Sequence, residues 1–517
     1  MGPGRHARER PDHPAYVMAG TGEVVTYRQL DERSNRVAQL LHAAGLRFGD
    51  HIAVLMENRS EYFEPCWAAQ RSGLTYTCIN SHLTADEVAY IVDDCDARVL
   101  FTSDTLAEVA TAIVERTPKV ERRLVVGPTA VPGHEPYEEA IAGHPATPLT
   151  EELEGSRMLY SSGTTGRPKG VRYTAERRLV GDLPAEMGMM TGFWGFGPDT
   201  VYLSPAPLYH SAPLFYCMST MRLGGTCIVL ERFDPEAALA AIERYRVTHS
   251  QWVPTMFVRM LALPDEMRSR YDLSSLRVAI HAAAPCRVDT KQQMIEWWGP
   301  IIDEYYSATE GMGATYISAA DWLAHPGSVG RTLLAPIHIL DDEGADLPPG
   351  EIGTVWFEPP PGRPGFAYHK DDAKTREATD ARGWSTVGDI GYLDDDGFLY
   401  LTDRRSFMIV AGGVNISPQE IEDLLASHPA VADAAVFGIP DADLGERVHA
   451  VVQPLDWDAA GPDLADELLA HCRARLSAQK CPRAIDFERE LPREDTGKLF
   501  KRRLRDRYWG DGPSRIV

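Results

Sequence analysis

The sequence contains no closely spaced pair of cysteines. The chain has 517 residues and only eight cysteines, and no two of them have the Cys-x-x-Cys spacing that thioredoxin-like redox motifs and many zinc sites use. Thiols diluted in so long a chain are typical of reduced, buried side chains, so we predict a cytoplasmic protein. The eight are Cys66, Cys78, Cys95, Cys217, Cys227, Cys286, Cys472 and Cys481.

A long hydrophobic run and an excess of positive charge are absent as well. No apolar stretch is long enough to span a bilayer. The N-terminus has neither the apolar core of a signal peptide nor, with His6 at position 6, the myristoylation pattern. The formal net charge of −23 argues against a general nucleic-acid binder and against an anionic membrane surface. A hydrophobic content of 44% suits a globular protein with a large core, and 517 residues favour more than one domain.

The usual phosphate-binding loop, Gly-x-x-x-x-Gly-Lys-Ser/Thr, does not occur, so a kinase or motor ATPase is a poor fit. A different loop, Ser-Ser-Gly-Thr-Thr-Gly-Arg-Pro-Lys, spans 161–169. Its glycines allow backbone N–H groups to approach an anion, and its hydroxyls and lysine offer donors to phosphate oxygens. Apolar residues on both sides favour a turn between two strands over a flexible linker. The phosphate-binding candidates are Ser161, Ser162, Gly163, Thr164, Thr165, Gly166 and Lys169.

Local patterns predict an alternation of helices and strands. Capping boxes at 26–29, 84–87 and 417–420 mark helix starts, and 51–56 and 98–102 read as strands. This alternation indicates an α/β domain with largely parallel sheets. Such sheets bind ligands at the carboxyl ends of their strands.

Five further short motifs follow the loop along the chain. They are Tyr-Tyr-Ser-Ala-Thr-Glu-Gly at 305–311, Ser-Thr-Val-Gly-Asp at 385–389, Asp-Arg-Arg at 403–405, Gly-Gly-Val-Asn-Ile at 412–416 and Leu-Pro-Arg-Glu-Asp-Thr-Gly-Lys at 491–498. With the loop, they resemble the adenylate-forming superfamily of acyl-CoA synthetases, non-ribosomal peptide adenylation domains and luciferases. The resemblance extends over nearly the whole chain, which is most like a bacterial acyl-CoA synthetase, an AMP-forming acid–thiol ligase.

The resemblance implies two domains. Residues 1–404 are expected to form a large α/β domain with parallel-rich sheets, helices and a distorted barrel, which binds AMP and the acyl group. Residues 405–517 are expected to form a small, mobile α+β domain with the catalytic lysine. The hinge position matches Ser406, where relatives usually carry Asp or Lys. In the small domain, 431–438, 447–453 and 484–487 read as strands and 463–476 as a helix.

The resemblance also assigns roles in nucleotide binding. In the 305–311 motif, Tyr306 stacks on adenine, Thr309 contacts the α-phosphate and Glu310 holds Mg²⁺, with Ser307 between them. One carboxylate can suffice, because Mg²⁺ also binds phosphate oxygens and waters. The alternative is that Thr-Glu-Gly merely ends a helix.

Two further residues are assigned to the ribose. Asp389 is the expected acceptor for the ribose hydroxyls, and Arg404 is expected to contact ribose and phosphate. The acidic turn at 394–396 lacks the pattern of a calcium-binding loop, so we predict a solvated hairpin there.

The acyl side of the site is expected near His210 and a turn at 283–285. His210 reads either as a core histidine or, by resemblance, as a catalytic residue beside the carboxylate, with Tyr209, Phe215 and Tyr216 lining an acyl pocket. Ala283, Ala284 and Pro285 stand where relatives usually have a glycine-rich turn beside adenine and the acyl group. Alanines there restrict φ and narrow the space.

The implied chemistry has two steps. Acid and ATP first give an acyl-adenylate and pyrophosphate, with Lys498 bridging carboxylate and nucleotide. The small domain then swings about Ser406, and Gly412 and Gly413 let the pantetheine arm of CoA pass, so that its thiol attacks the acyl carbonyl. The cofactors are ATP and Mg²⁺, with CoA as co-substrate.

Other hypotheses stay open. The acceptor can instead be an amine or a separate carrier protein, or the activated group a non-carboxylate oxyanion. A non-catalytic nucleotide-binding module is disfavoured by the joint presence of Lys169, Glu310, Asp389, Arg404 and Lys498. The expected partners are a small carboxylic acid, ATP and CoA, without nucleic acid or a membrane span, and relatives are commonly dimers. The aromatic run at 193–216 fits aryl, medium-chain and polycyclic acids alike.

Overall fold

The fold comes from a computed structural model of the chain. The described residues are 2–161, 168–173, 177–181, 187–333, 335–359, 365–404, 407–411, 414–441, 444–493 and 499–509.

A nine-stranded sheet forms the centre of the large domain. Its inner strands pair in parallel, and antiparallel strands close both edges. Across the sheet the strands are Arg331–Thr332, Ala314–Ile317, Ile302–Ser307, Val278–His281, His249–Trp252, Val201–Ser204, Thr226–Val229, Pro14–Met18 and Val24–Thr26.

A second, six-stranded sheet is parallel throughout. Its strands, in order across the sheet, are Glu135–Pro136, Arg122–Val126, Ala97–Ser103, His51–Leu55, Thr75–Cys78 and Ser156–Arg157. The two sheets confirm the predicted α/β architecture with largely parallel pairing. The strands predicted at 51–56 and 98–102 both lie in this sheet.

Helices connect and cover these strands. In the large domain they are Pro3–Glu9, Tyr27–Ala43, Phe63–Arg71, Ala85–Asp94, Ala107–Ala112, Tyr137–Ala142, Met187–Gly192, Ser211–Leu223, Pro235–Tyr245, Pro254–Leu261, Asp265–Arg268, Val288–Trp298, Ala319–Ala324 and Asp372–Glu377. The capping boxes predicted at 26–29 and 84–87 are both present. In each, the threonine hydroxyl accepts a hydrogen bond from the backbone N–H three residues later, and the side chain of that later residue accepts one from the backbone N–H of the threonine.

The large domain, for which the resemblance implies a distorted barrel in addition to the parallel sheets, also has two small antiparallel sheets. Three strands, Phe366–Tyr368, Lys169–Tyr173 and Leu159–Ser161, form one of them. The other has the strands Ile337–Leu340, Gly353–Phe357, Asp389–Leu393 and Leu399–Arg404. They share one apolar core, because Val171 and Tyr368 of the first pack with Ile339 and Val355 of the second.

The chain ends in a smaller α+β domain with apolar clusters of its own. Its sheet has the strands Val414–Ile416, Ile409–Ala411, Gly445–Pro454, Val431–Asp441 and Ile485–Phe487, and its helices are Pro418–Ala426, Pro462–Arg473 and Lys501–Trp509. These elements agree with the strands and helix predicted for the region. The capping box predicted at 417–420 is wrong, because the Ser417 hydroxyl makes no cap and instead donates to the Thr402 carbonyl at 2.9 Å.

Two expectations about the whole chain are also answered. All eight cysteines are free thiols; seven are buried and Cys286 is partly exposed, as predicted for reduced side chains. Among the residues described above, no helix is both long and apolar enough to cross a membrane.

Candidate active site

A hairpin presents the candidate phosphate loop. The strands Leu159–Ser161 and Lys169–Tyr173 pair antiparallel, with Lys169 directly opposite Ser161. The predicted turn between two strands is therefore confirmed at both of its ends. The intervening candidates Ser162, Gly163, Thr164, Thr165 and Gly166, and the side chain of Ser161, lie outside the described residues.

The side chain of Lys169, the first residue of the second strand of this hairpin, lies next to the ring of Tyr368. Its ammonium nitrogen lies 5.5 Å from the ring centroid, within the range of a cation–π interaction. Burial lowers the pKa of Lys169, and the nearby Lys374 lowers it further, while Asp371, Glu377 and Glu310 act in the opposite direction. A partly buried cation thus stands at the end of the loop.

Glu310 contacts the hydroxyl of the same tyrosine. Its carboxylate is buried and accepts a hydrogen bond from the Tyr368 hydroxyl at 2.8 Å. The following residue, Gly311, has a φ of +60°, and a Cβ there would come within 2.7 Å of the Tyr173 hydroxyl. A glycine is therefore needed beside Glu310. The motif ends in a turn after the strand Ile302–Ser307, so the alternative of a helix end is wrong.

Thr309 and Ser307 flank this carboxylate. The Tyr173 hydroxyl donates to the backbone carbonyl of Thr309, which ties the motif to the strand of Lys169. The Ser307 hydroxyl donates to the Gly313 carbonyl at 2.8 Å and so stabilises the turn. Their contacts with nucleotide stay predictions.

Tyr306 and Asp389 meet although they are far apart in sequence. The Tyr306 hydroxyl donates to a carboxylate oxygen of the buried Asp389, and its ring centroid lies 6.1 Å from that of Phe357. Asp389 faces Arg404 across an antiparallel pair. The structure therefore brings the proposed adenine and ribose residues together, whereas the Arg404 side chain lies outside the described part of the chain.

The turn at 283–285 has an unusual backbone. Ala283 adopts a φ of +77°, a left-handed conformation that costs an L-residue other than glycine about 1–2 kcal/mol. The turn follows the strand Val278–His281, at the carboxyl edge of the central sheet. The turn therefore adopts a glycine-like backbone at Ala283 even though the residue is alanine, and the surrounding structure must offset the cost.

Sequence reasoning missed a buried charge cluster below this turn. The Glu304 carboxylate lies 2.7 Å from the Lys291 ammonium and 3.3 Å from the His281 imidazole, and all three side chains are buried. Burial pushes the pKa of Glu304 upward, but Lys291 and His281 outweigh it and hold the pKa at about 2. The one feature of the sequence that could have indicated this cluster is Lys291, which lies on the buried face of the helix Val288–Trp298.

His210 lies at a helix start on the acyl side. It is the N-cap residue of Ser211–Leu223, and its ring centroid lies 4.4 Å from that of Tyr209. Tyr216, on the same helix, is buried against the rings of Trp194 and Tyr305. Whether Tyr209, Phe215 and Tyr216 line an acyl pocket stays a prediction.

The acidic turn at 394–396 joins two strands, as predicted. The Asp394 carboxylate accepts from the backbone of Asp396 and Phe398, and Asp395 and Asp396 are exposed. No group of three or more His, Cys, Asp or Glu side chains suited to a metal occurs in the described ranges. Lys498, Ser406, Gly412 and Gly413 lie outside those ranges.

The fold and the site together define a class. Parallel sheets, a lysine-bearing hairpin loop, a buried carboxylate and a small C-terminal domain are the features expected of an adenylate-forming enzyme. Comparison with protein families gives the same answer. The model of the AMP-binding enzyme family matches residues 4–362, and that of the AMP-binding enzyme C-terminal domain matches 420–498. The chain belongs to the AMP-binding enzyme family.

Individual relatives extend over almost the whole chain. Feruloyl-CoA synthase of Amycolatopsis sp. is 33% identical over 508 residues, covering 98% of each chain. Fatty acid–[acyl-carrier-protein] ligase ScoC of Streptomyces coeruleorubidus is 32% identical over 99% of this chain and 96% of its own. The crystal structure of ATP-bound MatB from Rhodopseudomonas palustris superposes with a TM-score of 0.81 at 28% identity, covering 98% and 99% of the two chains. The protein is an AMP-forming acid–thiol ligase of the acyl-CoA synthetase type that uses ATP and Mg²⁺.

Proposed function

We propose that this enzyme converts a carboxylic acid and ATP into an acyl-adenylate and pyrophosphate, and then transfers the acyl group to the thiol of CoA, releasing AMP. The observation that carries the proposal is the convergence of Lys169 on the ring and of Glu310 on the hydroxyl of Tyr368, beside the paired Tyr306 and Asp389. A cation for phosphates and a carboxylate for a metal ion thus adjoin a candidate nucleoside site.

The nucleotide is held by residues from several elements. The loop 161–169 holds the β- and γ-phosphates, and the Lys169 ammonium contributes its positive charge. Tyr306 supplies its ring to adenine, and Asp389 accepts from the ribose hydroxyls. Arg404 lies opposite Asp389 in the strand pair, which supports a shared role at ribose and phosphate.

Glu310 is the residue that would hold Mg²⁺. A buried carboxylate oxygen fits a hard cation that takes its remaining ligands from phosphates and waters. Mg²⁺, when bound, neutralises the phosphate charge that repels the incoming carboxylate.

The acid binds between His210 and the turn at 283–285. His210 orients the carboxylate towards the α-phosphate, which Thr309 contacts. We expect the acid to have an apolar body, because Tyr216 and the neighbouring Trp194 and Tyr305 are aromatic. Aryl and aliphatic acids of this kind are the first to test.

The second step needs the small domain. We assign residues 1–404 to the large domain and 405–517 to the small one, with the hinge at Ser406. Lys498 serves adenylation, and rotation about the hinge replaces it with the Gly412–Gly413 loop, past which the thiol of CoA reaches the acyl carbonyl. In this proposal one site performs two reactions in sequence.

A panel of carboxylic acids tests the proposal. Pyrophosphate release is measured with Mg-ATP and each acid, with and without CoA, and the thioester is identified by mass. We expect one acid class to give release with CoA consumed one-for-one. Undiminished product turnover without CoA would reject CoA as the acceptor.

A carrier-protein thiol is the second candidate acceptor. It is favoured by the similarity to ScoC, whose name describes a fatty acid–[acyl-carrier-protein] ligase. Replacing CoA with a phosphopantetheinylated carrier protein in the same assay separates the two, because only the true acceptor accelerates acid-dependent turnover. A cytoplasmic location and a homodimer also stay predictions, for fractionation and light scattering to test.

A further inference from the structure

We propose that Tyr368 is a positioning residue that holds Lys169 and Glu310 apart, so that one stays available to phosphate and the other to a divalent cation. The inference rests on the proposed function for the roles of these two charged groups. Tyr368 itself belongs to none of the motifs found in the sequence.

Strand pairing fixes Tyr368 next to Lys169. Tyr368 lies directly opposite Val171 in the antiparallel pair, and Lys169 points to the same face as Val171, since side chains alternate along a strand. The ammonium therefore lies over the tyrosine ring, 5.5 Å from its centroid. The face of an aromatic ring attracts a cation without neutralising it.

The hydroxyl of the same ring orients the carboxylate. It donates to Glu310 Oε1 at 2.8 Å, and both partners are buried. A neutral donor orients a carboxylate and leaves its negative charge intact, whereas a lysine would cancel it. In the described part of the chain, Lys169 and Glu310 make no ion pair with each other, although Glu310 is near enough to affect the pKa of Lys169.

Hydrogen bonds of Tyr368 and of the two residues that follow it fix the position of this segment. Its backbone N–H donates to the Thr375 hydroxyl at 3.0 Å, and the next residue, His369, donates to the Gly170 carbonyl at 2.8 Å. Lys370, with a left-handed φ of +56°, reaches the carbonyl of Asp94 at 2.6 Å. The segment is thus attached to the hairpin and to the end of the helix Ala85–Asp94, which gives Tyr368 a fixed position.

Tyr368→Phe tests the hydroxyl while keeping the ring in the core. Equilibrium binding of ATP is measured by calorimetry over a range of Mg²⁺ concentrations and in EDTA. We expect the Mg²⁺ concentration for half-maximal enhancement of ATP binding to rise about tenfold, the scale of a lost hydrogen bond to a charged group. Binding in EDTA should stay unchanged, because the ring still holds Lys169. Tyr368→Leu, which also removes the ring, should weaken binding in EDTA as well.

Tyr271→Phe is the matched control. The Tyr271 hydroxyl donates to a Glu236 oxygen at the same 2.8 Å distance, and neither residue is part of the site. This variant should bind Mg-ATP as the wild type does. An unchanged Mg²⁺ dependence in Tyr368→Phe would overturn the inference.

Glu310→Gln separates this failure from that of the proposed function. If Glu310→Gln shifts the Mg²⁺ dependence and Tyr368→Phe does not, Glu310 keeps its role and only the inference about Tyr368 fails. If Glu310→Gln also leaves it unchanged, the assignment of Glu310 fails, and the inference with it. If both shift, the Glu310→Gln/Tyr368→Phe double variant should be no worse than Glu310→Gln alone, and additive effects would contradict positioning through Glu310.

Discussion

Two regions of the molecule combine a lysine with a glutamate in opposite ways. Below the 283–285 turn, Lys291 and Glu304 pair directly at 2.7 Å in the core. At the hairpin, Lys169 lies over the ring of Tyr368 and Glu310 accepts from its hydroxyl. A direct pair satisfies both charges inside the protein and leaves little for a ligand, so it serves structure. In our proposal, the charges at Tyr368 are held apart by a neutral group and stay available for phosphate and metal, so they serve binding.

The largest expected effect is on stability, in the paired region. Lys291→Met leaves the Glu304 charge buried without its partner and should lower the free energy of unfolding by about 3–5 kcal/mol. Urea denaturation measures this effect. The double variant Lys291→Met/Glu304→Gln should recover most of the loss, and a single variant as stable as the wild type would show that the pair is not structural.

Acid should reveal the same cluster. The pKa of Glu304, about 2, lies below its unfolded value near 4.5, and burial lowers the pKa of His281 below 6.5. The unfolded chain therefore binds more protons than the folded chain at both groups, so acid lowers the free energy of unfolding. The contribution of His281 is lost as the pH drops below 6.5, and that of Glu304 is lost as the pH drops from about 4.5 towards 2. Urea midpoints across this range should decline less steeply in the Lys291→Met/Glu304→Gln variant, and equal slopes would count against the cluster.

The same substitution at the hairpin should act on binding. Lys169→Met removes the cation beside the loop and should weaken ATP binding about tenfold, the scale of one charge-assisted contact. Stability should change little, because methionine packs on the Tyr368 ring. The calorimetric affinity and the urea midpoint are measured together. A destabilisation as large as that of Lys291→Met would remove the distinction between the two regions.

The smallest effect is expected at the turn above the paired cluster. Ala283→Gly relieves a left-handed alanine but adds flexibility to the unfolded chain, so it should stabilise by about 0.5–1 kcal/mol. Ala282→Gly is the control: this buried residue lacks the left-handed backbone that Ala283 has, and the change should destabilise. If both variants lose stability, the strain assigned to Ala283 is not relieved by glycine.

Short-range features of the fold were predictable from the sequence. The boxes starting at Thr26 and Thr84 form because all partners lie within three residues. The box at Ser417 fails because its hydroxyl finds a partner in Thr402, in a strand of the neighbouring sheet. The helix still begins at Pro418, with Ser417 as its N-cap residue. Local chemistry therefore predicts the helix start in all three cases, but it predicts the capping hydrogen bonds only where no tertiary partner competes for the side chain.

The residues of the site also fall into those that local sequence indicates and those that only tertiary contacts reveal. The sequence predicts Lys169 and Glu310 as members of one site because each lies in a short motif of fitting chemistry, and the structure brings both into contact with Tyr368. Tyr368 and Lys291 were not, because their roles come from contacts that the sheets create, such as the Tyr368–Glu310 hydrogen bond between residues 58 positions apart. A tyrosine at the end of a three-residue strand carries no signal of that role.

Acid-dependent exchange of labelled pyrophosphate into ATP, measured without CoA, tests the central claim most directly. The first half-reaction is complete without the acceptor, so we predict exchange with the right acid in the wild type and a loss of about 100-fold in Glu310→Gln, whose fold should be intact. Exchange that is independent of acid, or equal in wild type and Glu310→Gln, would contradict the assignment of the separated charges to adenylation.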